Sequence, residues 1–199
     1  MKTKIICMTP VKNEAWILKR FLTCASLWAD HIIVADQDSS DTSREIAASF
    51  PKVILIENPS AVFNEPQRQK MLIDEARKIA GPKILIALDA DEMLPPGAWE
   101  SPEWRTMLES PPGTVILFRW ANICHGWRQM WISDSVFPGG YVDDGASHEG
   151  RDIHSPRVPC PEGANGVEMT ETKVLHLQYT DWQRMESKHR WYQVWERLN

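Results

Sequence analysis

Along the first ninety residues, short apolar runs alternate with longer stretches whose apolar residues recur at close to helical spacing. The short runs are residues 4–8 (KIICM), 31–35 (HIIVA), 52–56 (KVILI) and 83–88 (KILIAL). They are apolar on both faces, which predicts buried strands. Between them lie residues 14–27, with Trp16, Ile17, Phe21, Leu22 and Ala25 on one stripe, then 40–50 and 66–80. These predict helices, the second capped by Ser40 or Asp41. Strand and helix in alternation predict an α/β fold with a mostly parallel, Rossmann-like sheet flanked by helices. Ligands of such sheets bind beyond the carboxyl ends of the strands, so the chemistry is expected just after each apolar run.

The rhythm changes after Glu92. Pro95, Pro96, Pro102, Pro111 and Pro112 punctuate the chain around a short predicted helix at 103–109. Residues 114–120 (TVILFRW) and 173–177 predict two more strands, and 181–198 a polar, Trp-bearing helix. Residues 135–166 are rich in Gly, Pro and Asp and predict a long loop, commonly a functional element in a small domain. No internal repeat or low-complexity tract divides the chain, and 1–199 is expected to be one domain.

Carboxylates gather where the strands end. Asp36, Asp38 and Asp41 follow the second run, and Asp89-Ala90-Asp91-Glu92 follows the fourth. Three carboxylates in four residues repel one another and raise one another's pKa. A divalent cation relieves that cost, and hard oxygen ligands suit Mg²⁺ or Mn²⁺, ions that bridge to substrate phosphates. The competing reading is a solvated acidic turn. Glycine-based phosphate cradles of the G-x-x-x-x-G-K-[ST] or G-x-G-x-x-G type are absent. A bound diphosphate must then be neutralised by metal and side chains.

Composition narrows the field. The net charge is −5 with no Lys/Arg run longer than two, which disfavours nonspecific nucleic-acid binding. Cys7, Cys24, Cys124 and Cys160 are scattered, so neither a zinc ribbon nor a disulfide framework is expected. His125, His148 and His154 match no zinc spacing either. No apolar stretch has the length of a membrane span, and residues 1–8 lack a signal-peptide layout. The expectation is a cytoplasmic protein without a transmembrane segment, with peripheral membrane contact left open. There are 10 Trp against 3 Tyr and 5 Phe, and eight of the Trp lie from Trp99 onward. Most are expected in the core. Trp127 and Trp131 are the first candidates to line a saccharide groove, where an indole offers a flat apolar face and one N–H.

Four segments in order, T-P-V-K-N-E-A, V-A-D-Q-D-S-S-D-T-S, N-E-P-Q-R-Q-K and L-D-A-D-E, resemble family 2 glycosyltransferases of the GT-A fold, and V-L-H-L-Q-Y-T-D-W is a weaker fifth match. The resemblance implies a nucleotide-sugar-binding half at 1–93 and a loop-rich acceptor half at 94–199 that ends in a helix. It implies that Pro10, Val11, Asn13 and Glu14 border the nucleotide. Asp36 would recognise the base as uracil, Arg68 would face base or diphosphate, and Asp89 would approach the ribose. Asp91, with His176, would ligate Mn²⁺ or Mg²⁺. The run at 36–41 departs from the family's Asp-Asp-Gly-Ser-x-Asp, with Gln37 for an acid and Asp38 for a glycine. Asp tolerates left-handed backbone better than most residues, so the turn is expected to survive. The chain is compact for this family, which leaves a C-terminal extension open.

Inverting transfer needs one general base for the acceptor hydroxyl. Glu149 is the first candidate and Asp144 the second, both in the long loop beside Asp143 and His148. Lys188 and Arg190 on the last helix either steady the departing diphosphate or form a solvated face. Ser187 stands where processive synthases carry the glutamine of Q-x-x-R-W, so a single sugar is expected to move to a saccharide or lipid-linked acceptor. The alternatives are a nucleotidyltransferase, disfavoured by the absence of glycine at 9–14, and a catalytically silent nucleotide-sugar or glycan-binding module.

Overall fold

The computed structural model describes residues 2–59, 63–124, 126–151 and 154–198. The expected alternation is present: β1 Lys4–Val11, α1 Ala15–Trp28, β2 His31–Asp36, α2 Ser43–Ala48, β3 Val53–Glu57, α3 Glu65–Arg77 and β4 Lys83–Ala87. Next come β5 Glu92–Met93, α4 Pro102–Glu109, β6 Val115–Cys124, β7 Gln129–Val142, β8 Gly166–Glu168, β9 Val174–His176 and α5 Trp182–Leu198. The described strands form one mixed sheet in the order β3-β2-β1-β4-β7-β6-β9-β5, with β8 on β6. The pairings among β1 to β4 are parallel, and β7 runs antiparallel to both β4 and β6.

Alternation along β1 shows why its run is apolar throughout. Ile5 and Cys7 face a core built with Leu18, Phe21 and Leu22 of α1, whereas Ile6 and Met8 face one built with Leu72, Ile73 and Ala76 of α3. Both sides are covered, and truncating Leu18, which is fully buried, to Ala should cost about 2–5 kcal/mol.

β1 continues three residues beyond the expected end at Met8. Its pairing with β4 stops at Met8–Ala87, while that with β2 runs on to Val11–Asp36. The missing N–H of Pro10 therefore interrupts no ladder. α2 starts later than expected because Asp41 is engaged elsewhere: its two oxygens accept from Ala15 N at 3.0 Å and Ser43 N at 2.9 Å. Asp38 does adopt the left-handed conformation, at φ 51.

The second half corrects two expectations. The segment expected to open a long loop at 135 instead belongs to β7, the longest strand. Its Gly139 carries no side chain because a Cβ there would lie 2.8 Å from the rings of both Phe118 and Phe137. Close strand approach, and not a turn, explains that glycine. The tryptophans are also less buried than expected. Trp28 and Trp104 are core residues in edge-to-face contact, but Trp16, Trp127, Trp131, Trp182 and Trp191 are exposed. Among the described residues, no helix is long and apolar enough to cross a membrane.

Candidate active site

A cavity of about 890 Å³ opens at the carboxyl edge of β1, β2 and β4, with α5 across it. It is lined by Pro10, Asn13, Glu14, Arg68, Asp89 and Asp91, six of the residues expected at the site. α5 adds Met185, Lys188, Trp191, Tyr192 and Trp195.

Two loops build the near wall. Asn13, at φ 56, donates its N–H to Ser39 Oγ at 2.9 Å and accepts from Ser40 N at 2.8 Å. Glu14 N donates to Ser43 Oγ at 2.9 Å. These bonds join the turn after β1 to the turn after β2, and most of Asn13's polar capacity goes into that seam. Val11 is buried at the end of β1 and its carbonyl accepts from Gln37 N at 2.8 Å.

Asp36 closes β2 and is 1 % exposed. Oδ2 accepts from Ser39 N at 3.1 Å and faces Arg44 at 3.4 Å, but Oδ1 is buried with no partner. An orphaned carboxylate oxygen is costly unless a ligand donates to it. Arg68 has a similar vacancy, since its Nε is buried without a partner while its guanidinium lies 5.3 Å from the Phe63 ring centroid.

The acidic turn after β4 is arranged by sheet register. β5 pairs Glu92 with His176 of β9, and β6 pairs Asn122 with the same histidine. His176 Nδ1 lies 3.0 Å from Asn122 Oδ1. That oxygen only accepts, so Nδ1 carries a proton, and in the neutral ring Nε2 keeps its lone pair. Nε2 is buried, without a hydrogen-bond partner, 3.8 Å from Asp91 Oδ2. Lys188 Nζ of α5 is also 3.8 Å from that oxygen. Burial works against the Lys188 ammonium, but the Asp91 and Asp89 carboxylates outweigh it and hold its pKa above the ordinary value.

Glu92 is fully buried and belongs to a different network. It accepts from Trp120 Nε1 at 2.7 Å, from Asp89 N at 3.0 Å, and from Arg157. Arg157 NH2 also pairs with Asp89 Oδ2 at 2.9 Å. Desolvation opposes the Asp89 charge, yet Arg157, followed by Lys188 and Arg68, brings its pKa down to about 2. Glu14 moves the other way. Burial pushes its carboxyl up to about 7, against the lowering pull of the Trp16 N–H, which it accepts at 2.6 Å. Arg184 of α5 reaches the same carboxylate at 3.3 Å and lies 4.8 Å from the Trp16 ring centroid.

The two base candidates are not brought here. Asp144 follows β7, whose end lies beside Lys83 at the start of β4, the edge of the sheet opposite the cavity. Its Oδ1 accepts from Tyr141 Oη at 2.6 Å, which holds its pKa below the usual range. The neighbouring Asp143 is paired with Arg77 at 2.7 Å. Glu149 is exposed and does not line the cavity; the adjacent Gly150 packs so closely on Pro66 that a Cβ would sit 2.5 Å from it. Arg190 pairs with Glu186 on the surface of α5. His125 lies outside the described residues, and His148 Nε2 is 2.7 Å from Pro156 O. Among the described residues no group of three or more metal-ligating side chains converges, so the protein offers the pair Asp91 and His176. Arg157 was not anticipated, and the only sequence signal for it is the uncompensated acidity of the turn it neutralises.

The sequence profile of Glycosyl transferase family 2 matches residues 6–155. No curated protein matches the chain. Among solved structures it resembles S. aureus TarS, with 10% identity, a TM-score of 0.48, and coverage of 67% of this chain and 24% of TarS. It resembles GalNAc-T7 crystallised with UDP, GalNAc and Mn²⁺, with 19% identity, a TM-score of 0.45 and coverage of 60% and 24%. A 4-diphosphocytidyl-2C-methyl-D-erythritol synthase gives 14%, 0.46, and coverage of 71% and 76%. The chain thus spans about a quarter of the length of the first two.

Proposed function

The chain belongs to glycosyl transferase family 2, and from that premise we propose that it moves one sugar from a UDP-sugar to a saccharide or lipid-linked acceptor, with inversion and with a divalent metal. The observation that carries this reading is the unpartnered His176 Nε2 facing Asp91 beneath Lys188.

The residues present fit Mn²⁺ or Mg²⁺. A buried imidazole lone pair and a carboxylate make a partial ligand set, and such ions complete their shell with water and substrate phosphates. When bound, the ion supplies charge stabilisation for the departing diphosphate. The chain's own cations act on the same group: Lys188 and Arg68 line the cavity where the diphosphate would lie. Asp36 does not itself line the cavity, but its partnerless Oδ1 precedes Gln37, which does, and would be the acceptor for the N3–H of uracil. Asp89, held by Arg157, approaches the ribose.

We assign the base among the described carboxylates that line the cavity, Glu14, Asp89 and Asp91. Asp89 is paired with Arg157, and Asp91 faces His176 and Lys188. Glu14 is held as well, by Arg184 at 3.3 Å and the Trp16 N–H, but its pKa is raised to about 7, which suits proton removal at neutral pH. It accepts the proton of the attacking hydroxyl as that oxygen bonds to the anomeric carbon and the diphosphate leaves.

The test is a thermal-shift screen of nucleoside diphosphates with and without Mn²⁺, paired with UDP-sugar hydrolysis. The expected result is a metal-dependent shift strongest for UDP, with both shift and turnover lost in Asp91→Ala. If Asp91→Ala leaves both unchanged, the reading fails.

A further inference from the structure

A second cavity, of about 650 Å³, adjoins the first, and Trp16 lines both. Its floor is the solvent-facing stripe of α1, where Trp16, Lys19, Arg20 and Thr23 fall at i, i+3, i+4 and i+7. Its far wall is Trp127, in the turn that joins β6 to β7.

Two features of that wall are unusual. Trp127 is held at φ 73, a left-handed conformation that a bulky residue rarely adopts. Strain of this kind persists where the surroundings enforce it and gathers at ligand sites. Its ring faces a cation, with the Arg20 guanidinium 4.8 Å from the centroid. Among the described residues no carboxylate pairs with Arg20 or Lys19. Asp181, also in the lining, accepts from Arg184 N at 3.1 Å through Oδ1, and its one negative charge is outnumbered by Lys19 and Arg20.

Trp16 and Trp127 each meet a guanidinium, Arg184 and Arg20, yet stay 39% and 51% exposed. That indole surface suits the C–H faces of a pyranose, while Lys19 and Arg20, without a carboxylate partner, suit a carboxylate or phosphate on it. We propose that this second cavity is the acceptor subsite, and that the acceptor is a saccharide bearing an anionic group. The assignment rests on the transferase reading above. It puts donor and acceptor on the two sides of Trp16, with Glu14, whose carboxylate accepts from the Trp16 indole, at their junction.

The test measures binding of three probes by ligand-observed NMR: a hyaluronan tetrasaccharide, glucose 6-phosphate and neutral cellotetraose. UDP with Mn²⁺ is titrated in parallel. One acidic probe or both should bind about tenfold tighter than the neutral one, and the pair tells carboxylate from phosphate. Arg20→Met and Trp127→Gly should each weaken the acidic probe about tenfold and leave UDP affinity within about twofold. Trp127→Gly should do so without lowering Tm, because glycine adopts this φ freely. The assignment is overturned if cellotetraose binds as tightly as the acidic probes, or if both variants bind the acidic probe like the parent. It is also overturned if no saccharide binds to protein that does bind UDP. Absence of UDP binding by the unaltered protein strikes the transferase reading itself, and this assignment with it.

Discussion

Arg157, from the irregular segment after β7, is ion-paired to Glu92, a fully buried carboxylate at the start of β5. The guanidinium also lies 5.1 Å from the Phe137 ring centroid and 5.9 Å from that of Trp120. One side chain thus ties the second half of the chain to the acidic turn of the first. A pair buried this deeply contributes less through its attraction than it would cost if broken.

Arg157→Met should therefore destabilise the protein by roughly 3–5 kcal/mol in urea titration at pH 7, because two carboxylates lose their counter-charge. The deficit should narrow in acid. The Asp89 pKa is depressed from 3.8 to about 2, so its contribution is present above 3.8 and is lost as pH falls through about 2. A variant without Arg157 protonates Asp89 at higher pH, so the difference between the two proteins narrows as pH falls. A deficit constant from neutral pH down to about pH 3 would count against this account.

Asn122 fixes the tautomer of His176 through a 3.0 Å contact. Asn122→Leu keeps the branched shape but removes the acceptor that holds the ring. Calorimetric titration in the presence of UDP should show Mn²⁺ affinity lowered about 10- to 100-fold, with a stability loss of about 1–3 kcal/mol for the orphaned Nδ1–H. Unchanged affinity would remove His176 from the proposed ligand pair.

Glu14 offers a pH test that is independent of catalysis. Its carboxyl is raised from 4.5 to about 7 by burial, so ionising it costs the folded state. Stability from this group is full below 4.5, falls as pH rises toward about 7, and then levels. Glu14→Gln should accordingly raise Tm more at pH 8 than at pH 5, in metal-free buffer. Equal shifts at the two values would contradict the burial argument. The same variant should abolish transfer while UDP still binds.

Gly139→Ala tests the hairpin. The added Cβ would meet two phenylalanine rings at 2.8 Å, and the variant should lose about 1–3 kcal/mol in thermal melts. No loss would mean that the rings have room to move aside.

The first half of the chain was legible because period and placement coincide there. Apolar runs buried on both faces gave β1 to β4, and the strand-end rule pointed to Asp36, Asp89 and Asp91 before any contact was known. His176 was legible only as a motif, since its position depends on the register of β9 between β5 and β6, a long-range pairing without local signature. β7 was missed because Pro138, Gly139 and Gly140 resemble a loop until the close approach of Phe118 is seen. Neither candidate for the base, Glu149 first and Asp144 second, lines the cavity, and antiparallel pairing carries Asp144 to the far edge of the sheet. Lys188 was ambiguous for a related reason, as helical spacing does not say which face of α5 covers the cavity.

The acidic turn carries three carboxylates, and two cations, Arg157 and Lys188, stand against them. One negative charge is left over. A divalent ion arriving alone would reverse that sign, and a nucleotide sugar arriving alone would deepen it by two charges. Arriving together they leave it as it was. On the proposed function, the charge at this turn is unchanged by the pair and changed by either member alone, while Lys12, Arg68 and Arg184 on the other walls of the cavity favour the nucleotide. Titrations of metal and nucleotide should each steepen in the presence of the other.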